Sequence, residues 1–174
     1  MIKNYKAQLK EIDTFIFDVD GVFTDNIVYL TADGDQMRTA NVRDGYAVQL
    51  AVKKGLRIAI ISGGKNEAVR KRFEMLGVKD IFLGSSDKIK IYESYLAQHN
   101  IKEEHVCYMG DDIPDFPVMK RVGLPTCPAD AAHEIRSIAT YISPSEGGKG
   151  CVRDILEQAL KIKGLWMTDE SVIW

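Results

Sequence analysis

Short apolar runs alternate along the chain with segments of helical period. Residues 14–17, 58–61, 81–83, 106–109 and 124–127 read as strands, each a brief continuous run ended by polar or glycine-rich sequence, as in strands covered on both faces. Between them the spacing predicts helices near 46–54, 66–76, 88–100, 114–121 and 131–138, with a last one near 151–162. Gly55 and Gly77 each follow a predicted helix end, where a left-handed residue is commonly needed. Strands alternating with helices are the signature of βαβ units. The expected fold is α/β: a Rossmann-like, doubly wound, mainly parallel sheet in one domain over residues 1–174. One segment departs from the alternation. Residues 27–30 and 36–39 flank Thr31-Ala32-Asp33-Gly34-Asp35, and Asp-Gly between two alternating stretches signals a β-hairpin, here over about 27–39.

Composition narrows the partners. A chain of 174 residues, 45% hydrophobic and 28% charged, suffices for one core and is short for two. Its 23 Lys+Arg against 25 Asp+Glu leave a net charge of −2, which removes the electrostatic motive for nucleic acid or an anionic membrane. A small-molecule partner is expected. No apolar stretch approaches the roughly 20 residues of a membrane helix, and Met1-Ile2-Lys3-Asn4-Tyr5-Lys6 lacks a signal-peptide core, so the expected location is the cytoplasm. Cys107, Cys127 and Cys151 are odd in number and widely spaced, which fits reduced thiols better than disulfides or zinc. His99, His105 and His133 are isolated and receive no role.

The polar residues of interest collect at strand ends, where open α/β sheets bind ligands. The first strand delivers Asp18 and Asp20, the second Ser62-Gly63-Gly64, the third Gly84-Ser85-Ser86-Asp87-Lys88, and the fourth Gly110-Asp111-Asp112-Ile113-Pro114-Asp115. Separately each has a structural explanation: an Asp pair caps a helix, Ser-Gly-Gly makes a turn, Lys88 is a solvated lysine, Gly-Asp-Asp opens a helix. Together they are a coherent chemical set. Two carboxylates one residue apart repel unless a cation separates them. Several carboxylates suit a magnesium ion, while a hydroxyl, a lysine and the Gly63 and Gly64 N–H groups suit phosphate oxygens.

"DVDGVFTD" (18–25), the strand ending in Ser62, Lys88 and "GDDIPD" (110–115) resemble, in order and spacing, the four motifs of the haloacid dehalogenase superfamily of phosphatases. The resemblance covers about residues 12–155. It implies that Asp18 is a nucleophile forming an aspartyl-phosphate and that Asp20 is the general acid and then the base. It implies Mg²⁺ held by the Asp18 carboxylate, the Asp20 carbonyl oxygen and Asp111, supported by Asp112 or Asp115. Ser62 and Lys88 would hold the transferring phosphoryl group.

The intervals Asp25 to Ser62 and Ser62 to Lys88 leave no room for an inserted cap domain. An uncapped site is closed either by a macromolecular substrate or by a neighbouring subunit. Residues 41–55, 110–124 and 147–157 are similar to the capless, tetrameric family of phosphatases acting on 3-deoxy-D-manno-octulosonate 8-phosphate (KDO 8-phosphate), a lipopolysaccharide precursor. That similarity implies a homo-tetramer, a sugar-acid phosphate as substrate, and Arg43 at the sugar carboxylate, against the alternative of a surface arginine at a helix start. It also implies that the Gly147-Gly148-Lys149-Gly150 stretch and the apolar tail over 163–174, with Trp166, Met167, Ile173 and Trp174, reach a neighbouring site, against the alternative that the glycine-rich stretch is a flexible entry to the last helix. Where such enzymes often read Thr-Gly-Arg, this chain reads Ser62-Gly63-Gly64. Related enzymes act on the nine-carbon KDN 9-phosphate, which stays open as an alternative substrate. The remaining alternatives are a phosphatase with an open site for a protein substrate and a non-catalytic phosphate-binding or regulatory protein.

Overall fold

In the computed structural model, which describes residues 4–172 apart from the Glu170 side chain, the chain runs α1 (Tyr5–Glu11), β1 (Thr14–Phe17), β2 (Tyr29–Leu30), β3 (Gln36–Met37), α2 (Val42–Lys53), β4 (Arg57–Ile61), α3 (Glu67–Met75), β5 (Asp80–Phe82), α4 (Lys88–His99), β6 (Val106–Met109), α5 (Phe116–Met119), β7 (Leu124–Cys127), α6 (His133–Ile138), β8 (Tyr141–Ile142) and α7 (Cys151–Ile162). Six strands form one sheet in the order β5-β4-β1-β6-β7-β8, and every pairing in it is parallel. The strand order reverses beside β1, so the crevice that opens at such a reversal lies at its carboxyl end.

Successive residues of a strand face opposite sides of a sheet, and the three central strands are apolar on both. Phe15, Phe17, Ile58, Ile60, Cys107 and Met109 enter one core, which α2, α7, Leu9 of α1 and Phe73 of α3 complete. Ile16, Ala59, Ile61, Val106 and Tyr108 enter the other, against Tyr92, Tyr95 and Leu96 of α4, Val118 and Met119 of α5 and Ile135 of α6. The three cysteines are buried and unpaired. Among the described residues no helix is long and apolar enough to cross a membrane.

The hairpin is present but its ladder is short: β2 and β3 pair antiparallel over two residues each. Gly34, at φ +86°, makes the turn. Between Asp20 and Ser62 the chain adds only this hairpin, α2 and β4, so no cap domain is inserted there.

The structure departs from the sequence reading at several elements. α1 carries only one buried residue, Leu9, and so shows no apolar stripe to read; Asn4 caps it by accepting from the Lys6 N–H at 3.1 Å. α2 starts four residues before the predicted boundary because the Asn41 side chain caps it, accepting from the Arg43 and Asp44 N–H groups. The helix expected over 114–121 is a 3-10 turn, Ile113–Asp115, followed by the four-residue α5. Over its described part the tail also packs on its own chain. Leu165 and Trp166 pack on the first core, the Trp166 ring meets Tyr46 edge-on at 6.2 Å, and the Tyr46 hydroxyl donates to the Ser171 carbonyl. Ile173 and Trp174 lie outside the described residues. The two-residue edge strand β8 has no counterpart in the sequence reading.

The loop before α7 is tied to the loop after β1, and one buried carboxylate secures the helix behind it. Asp44, fully buried on α2, accepts from the Arg153 N–H at 2.7 Å, and its second oxygen has no partner. Burial pushes its carboxyl up from 3.8 to about 6. The stability this group allows is therefore complete below about pH 4 and is lost as pH rises through about 6. Urea unfolding of wild type and Asp44→Asn between pH 4 and 7 should show the variant gaining roughly 1–3 kcal/mol relative to wild type across that window. Parallel curves would refute this account of Asp44.

Candidate active site

The parallel sheet brings the four motifs to one edge. Asp18 follows β1, its N–H still bonded to the Met109 carbonyl at 3.0 Å. The chain then turns sharply: the N–H groups of Val22, Phe23 and Thr24 all point to the Val19 carbonyl. Gly21 makes the turn at φ +77°, and a Cβ there would stand 2.0 Å from Asp111 Oδ2. Only glycine lets the first and fourth motifs approach this closely. From the other side, a Cβ on Gly147 would meet the Gly21 carbonyl oxygen at 2.0 Å, and the Gly148 N–H bonds the Val22 carbonyl at 2.9 Å. Gly147 and Gly148 thus pack against the chain's own loop after β1, and only Lys149 of this stretch turns a charge outward, 3.8 Å from Asp25.

Asp18, Asp20, Ser62, Gly63, Gly64, Lys88, Asp111 and Asp112 line one cleft of about 620 Å³. The loops that carry Ser62 and Lys88 are stitched together, Ser85 N–H to the Ser62 carbonyl at 3.0 Å and Gly84 N–H to the Gly64 carbonyl at 2.8 Å. The Lys88 ammonium is buried, 2.7 Å from Asp18 Oδ2 and 2.7 Å from Asp115 Oδ1. An ammonium has three protons, so one remains for a ligand. Asp115, at the base, also accepts from the Tyr108 hydroxyl at 2.6 Å and from the Asp111 N–H at 3.1 Å.

Three buried carboxylates against one lysine leave a deficit of positive charge. Burial, followed by the neighbouring Asp115, pushes the Asp18 carboxyl up to about 7, against the pull of Lys88. Burial likewise raises Asp111 to about 6, although the Asn26 amide hydrogen-bonds it. For Lys88 burial disfavours the charge, yet Asp18 and Asp115 outweigh it and its pKa is raised. Asp18, Asp111 and Asp115 can each bring a carboxylate oxygen within 4.8 Å of the others, an all-oxygen set that fits a small hard cation such as Mg²⁺. The oxygens of Asp115 are already engaged by Lys88, Tyr108 and backbone N–H groups, so Asp18 and Asp111 are the ones that would hold the ion, with Asp115 fixing Lys88 behind them. Asp112 is exposed at the cleft lip.

Arg43 is not brought into this cleft within the chain. It lies exposed at the first turn of α2, in a separate cavity with Asp25, Asn41, Lys149 and Arg153. Sequence reasoning also missed Asn26, Arg38 and Tyr108, and gave Ser85 no role of its own. Asn26, left-handed at φ +62°, donates to Asp111 Oδ2 at 2.9 Å. Arg38 grips Asp20 with two nitrogens, at 2.5 and 3.0 Å. Ser85 lines the cleft with a hydroxyl that has no partner, and Tyr108 anchors Asp115. An Asn directly after the first motif, a residue that tolerates φ > 0, was the one available signal; the others depend on tertiary contacts. Removing a bond to a metal-holding carboxylate typically weakens binding by about 10–100-fold. Titration calorimetry should therefore show Mg²⁺ binding to Asn26→Ala at least about 10-fold more weakly than wild type, and equal affinities would contradict this role for Asn26.

Comparison with known proteins agrees with the geometry. The family model described as haloacid dehalogenase-like hydrolase matches residues 77–155. The 3-deoxy-D-manno-octulosonate 8-phosphate phosphatase of Escherichia coli K12 is 36% identical over 158 residues, 91% of this chain and 84% of that protein. The crystal structure of the Yersinia pestis phosphatase of the same name superposes with a TM-score of 0.90 at 33% identity, covering 94% of this chain and 88% of that one. The Moraxella catarrhalis phosphatase, solved with a magnesium ion, a phosphate ion and KDO, superposes with a TM-score of 0.89 at 28% identity, covering 93% of each chain.

Proposed function

This chain belongs to the 3-deoxy-D-manno-octulosonate 8-phosphate phosphatase family of haloacid dehalogenase-like hydrolases, and from that membership we propose that it is a Mg²⁺-dependent phosphomonoesterase converting KDO 8-phosphate to KDO and phosphate. The observation that carries the reading is the meeting of Asp18, Ser62, Lys88 and Asp111 in one cleft, where the carboxylates outnumber the cations.

Asp18 is buried and fixed: Oδ1 accepts from the Val19 N–H at 2.7 Å and Oδ2 faces Lys88. It attacks phosphorus, the phosphorus–oxygen bond to the sugar breaks, and the phosphoryl group passes to the carboxylate. Asp20, two residues on, protonates the departing alkoxide and then takes the proton of the water that cleaves the aspartyl-phosphate. Ser62, the spare Lys88 proton and the Gly63 and Gly64 N–H groups receive the phosphoryl oxygens, whose shared charge is what such a site chiefly has to stabilise. Mg²⁺, when bound by Asp18, Asp111 and the Asp20 carbonyl oxygen, neutralises repulsion between the Asp18 carboxylate and the phosphate.

The same reading extends to assembly and place. The chain acts as one domain, in the cytoplasm, supplying a lipopolysaccharide precursor, and as a homo-tetramer. Ile27, Tyr29, Leu30 and Met37 of the hairpin are more than half exposed, an apolar surface of the kind subunits cover. Arg43 and Lys149, outside their own cleft, are then available to the substrate carboxylate in a neighbour's. The nine-carbon KDN 9-phosphate is the second candidate substrate, since residue 64 is a glycine and contributes no cationic side chain of its own.

Phosphate release from a panel of sugar-acid phosphates tests the reading. KDO 8-phosphate should give the highest kcat/KM, activity should vanish in EDTA and return with Mg²⁺, and Asp18→Asn should lose at least about a hundredfold. Full activity in EDTA after dialysis, or preference for the nine-carbon substrate, would overturn the metal and the substrate assignments respectively. Light scattering that finds a fully active monomer would overturn the assembly.

A further inference from the structure

Asp20 does not stand free in the cleft. Arg38, at the foot of the hairpin just past β3, holds it with a planar fork: Nε donates to Oδ1 at 2.5 Å and one terminal nitrogen donates to Oδ2 at 3.0 Å. The Arg38 side chain is 10% exposed and that of Asp20 35%. The fork is itself fixed. Its other terminal nitrogen donates to the Gln36 carbonyl at 2.9 Å, and the same carbonyl accepts from the Asn66 amide at 3.1 Å. Asn66 in turn caps α3, accepting from the Ala68 N–H at 2.8 Å. Hairpin, α3 and the acid/base carboxylate are thereby one connected unit.

The guanidinium also lies beside the phosphate-binding turn. A Cβ built on Gly64 would be 3.6 Å from Asp20 Oδ2, 3.6 Å from Ser62 Oγ and 3.7 Å from an Arg38 nitrogen. Carboxylate, hydroxyl and guanidinium thus converge on the space above Gly64.

We propose that Arg38 is a positioning residue for proton transfer, aiming the Asp20 carboxyl at the leaving oxygen and stabilising the carboxylate that forms when its proton has gone. The proposal rests on the phosphatase reading of the cleft. In the step concerned, the bridging oxygen takes the electron pair of the breaking phosphorus–oxygen bond and the proton from Asp20, leaving an alcohol and a carboxylate. Bonds from a guanidinium fork strengthen as that carboxylate ionises. The hairpin then does more than present an apolar surface: it holds the acid in register with the scissile bond, where small misplacements cost heavily.

The test separates leaving groups. A sugar alkoxide needs a proton to depart, whereas p-nitrophenolate does not, and kcat/KM for both substrates reports the steps up to transfer onto Asp18. In Arg38→Ala, kcat/KM for the sugar phosphate should fall at least about 30-fold and that for p-nitrophenyl phosphate less than about threefold. Methylguanidinium in the assay should recover part of the lost sugar-phosphate turnover. Arg38→Lys keeps the charge without the fork, and should show the same asymmetry with a smaller loss. Equal losses on both substrates in the two variants, or no loss on either, would overturn the proposal. Wild-type protein inactive on both substrates would overturn the phosphatase reading itself, and this proposal with it.

Discussion

The structure depends on a charge imbalance held in place by burial. Asp18, Asp111 and Asp115 gather where β1 and β6 end, and among the described residues the one cation buried with them is Lys88, bonded to Asp18 and Asp115. In a low-dielectric setting such a cluster is costly unless it is neutralised, which is why the Asp18 and Asp111 carboxyls sit well above their ordinary range. This imbalance is what a divalent cation relieves. Cation binding and readiness for a phosphate dianion are two consequences of one arrangement.

The backbone makes that arrangement affordable in space. Gly21, Gly110 and Gly147 each stand where a Cβ would strike another part of the site: Asp111, the Asp115 carboxyl and the Gly21 carbonyl in turn. The loops after β1, after β6 and before α7 therefore lie in direct contact, and the carboxylates cannot spread apart to relax their repulsion. Asp44 secures the third of these loops from behind through the first turn of α7. Rigidity around Asp18 is thus built from close backbone packing as well as from side-chain bonds. Around Asp20 it comes instead from the hairpin, through Arg38 and Asn66.

What the sequence made legible follows from what repeats locally. Strands buried on both faces read as short apolar runs, so the five expected strands all exist, and their order fixed which polar residues would meet at the carboxyl edge. Asp18, Asp20, Ser62, Lys88 and Asp111 were visible because each lies within three residues of a strand end or opens a helix. Residues whose role lies in a long-range partner were not visible. Arg38 looked like a hairpin residue until β3 was seen to place it against Asp20, and α1 and β8 bury too little to leave a pattern. Asp115 belongs to the acidic cluster at the cleft, and its oxygens also go to Lys88, Tyr108 and the backbone; those partners are set by tertiary contacts, which the sequence does not contain. Arg43 was expected at the substrate, and its place outside the chain's own cleft assigns it to a neighbour's site if it has that role.

The central claim is that the phosphoryl group passes through Asp18. Rapid acid quench of a single turnover with ³²P-labelled KDO 8-phosphate, with borohydride reduction of the quenched protein and peptide mapping, tests it most directly. The account requires transient protein-bound ³²P and a peptide in which Asp18 has been reduced to homoserine, both absent from Asp18→Asn. Free phosphate appearing at the full rate with no protein-bound label at any time, and Asp18 unmodified, would contradict it.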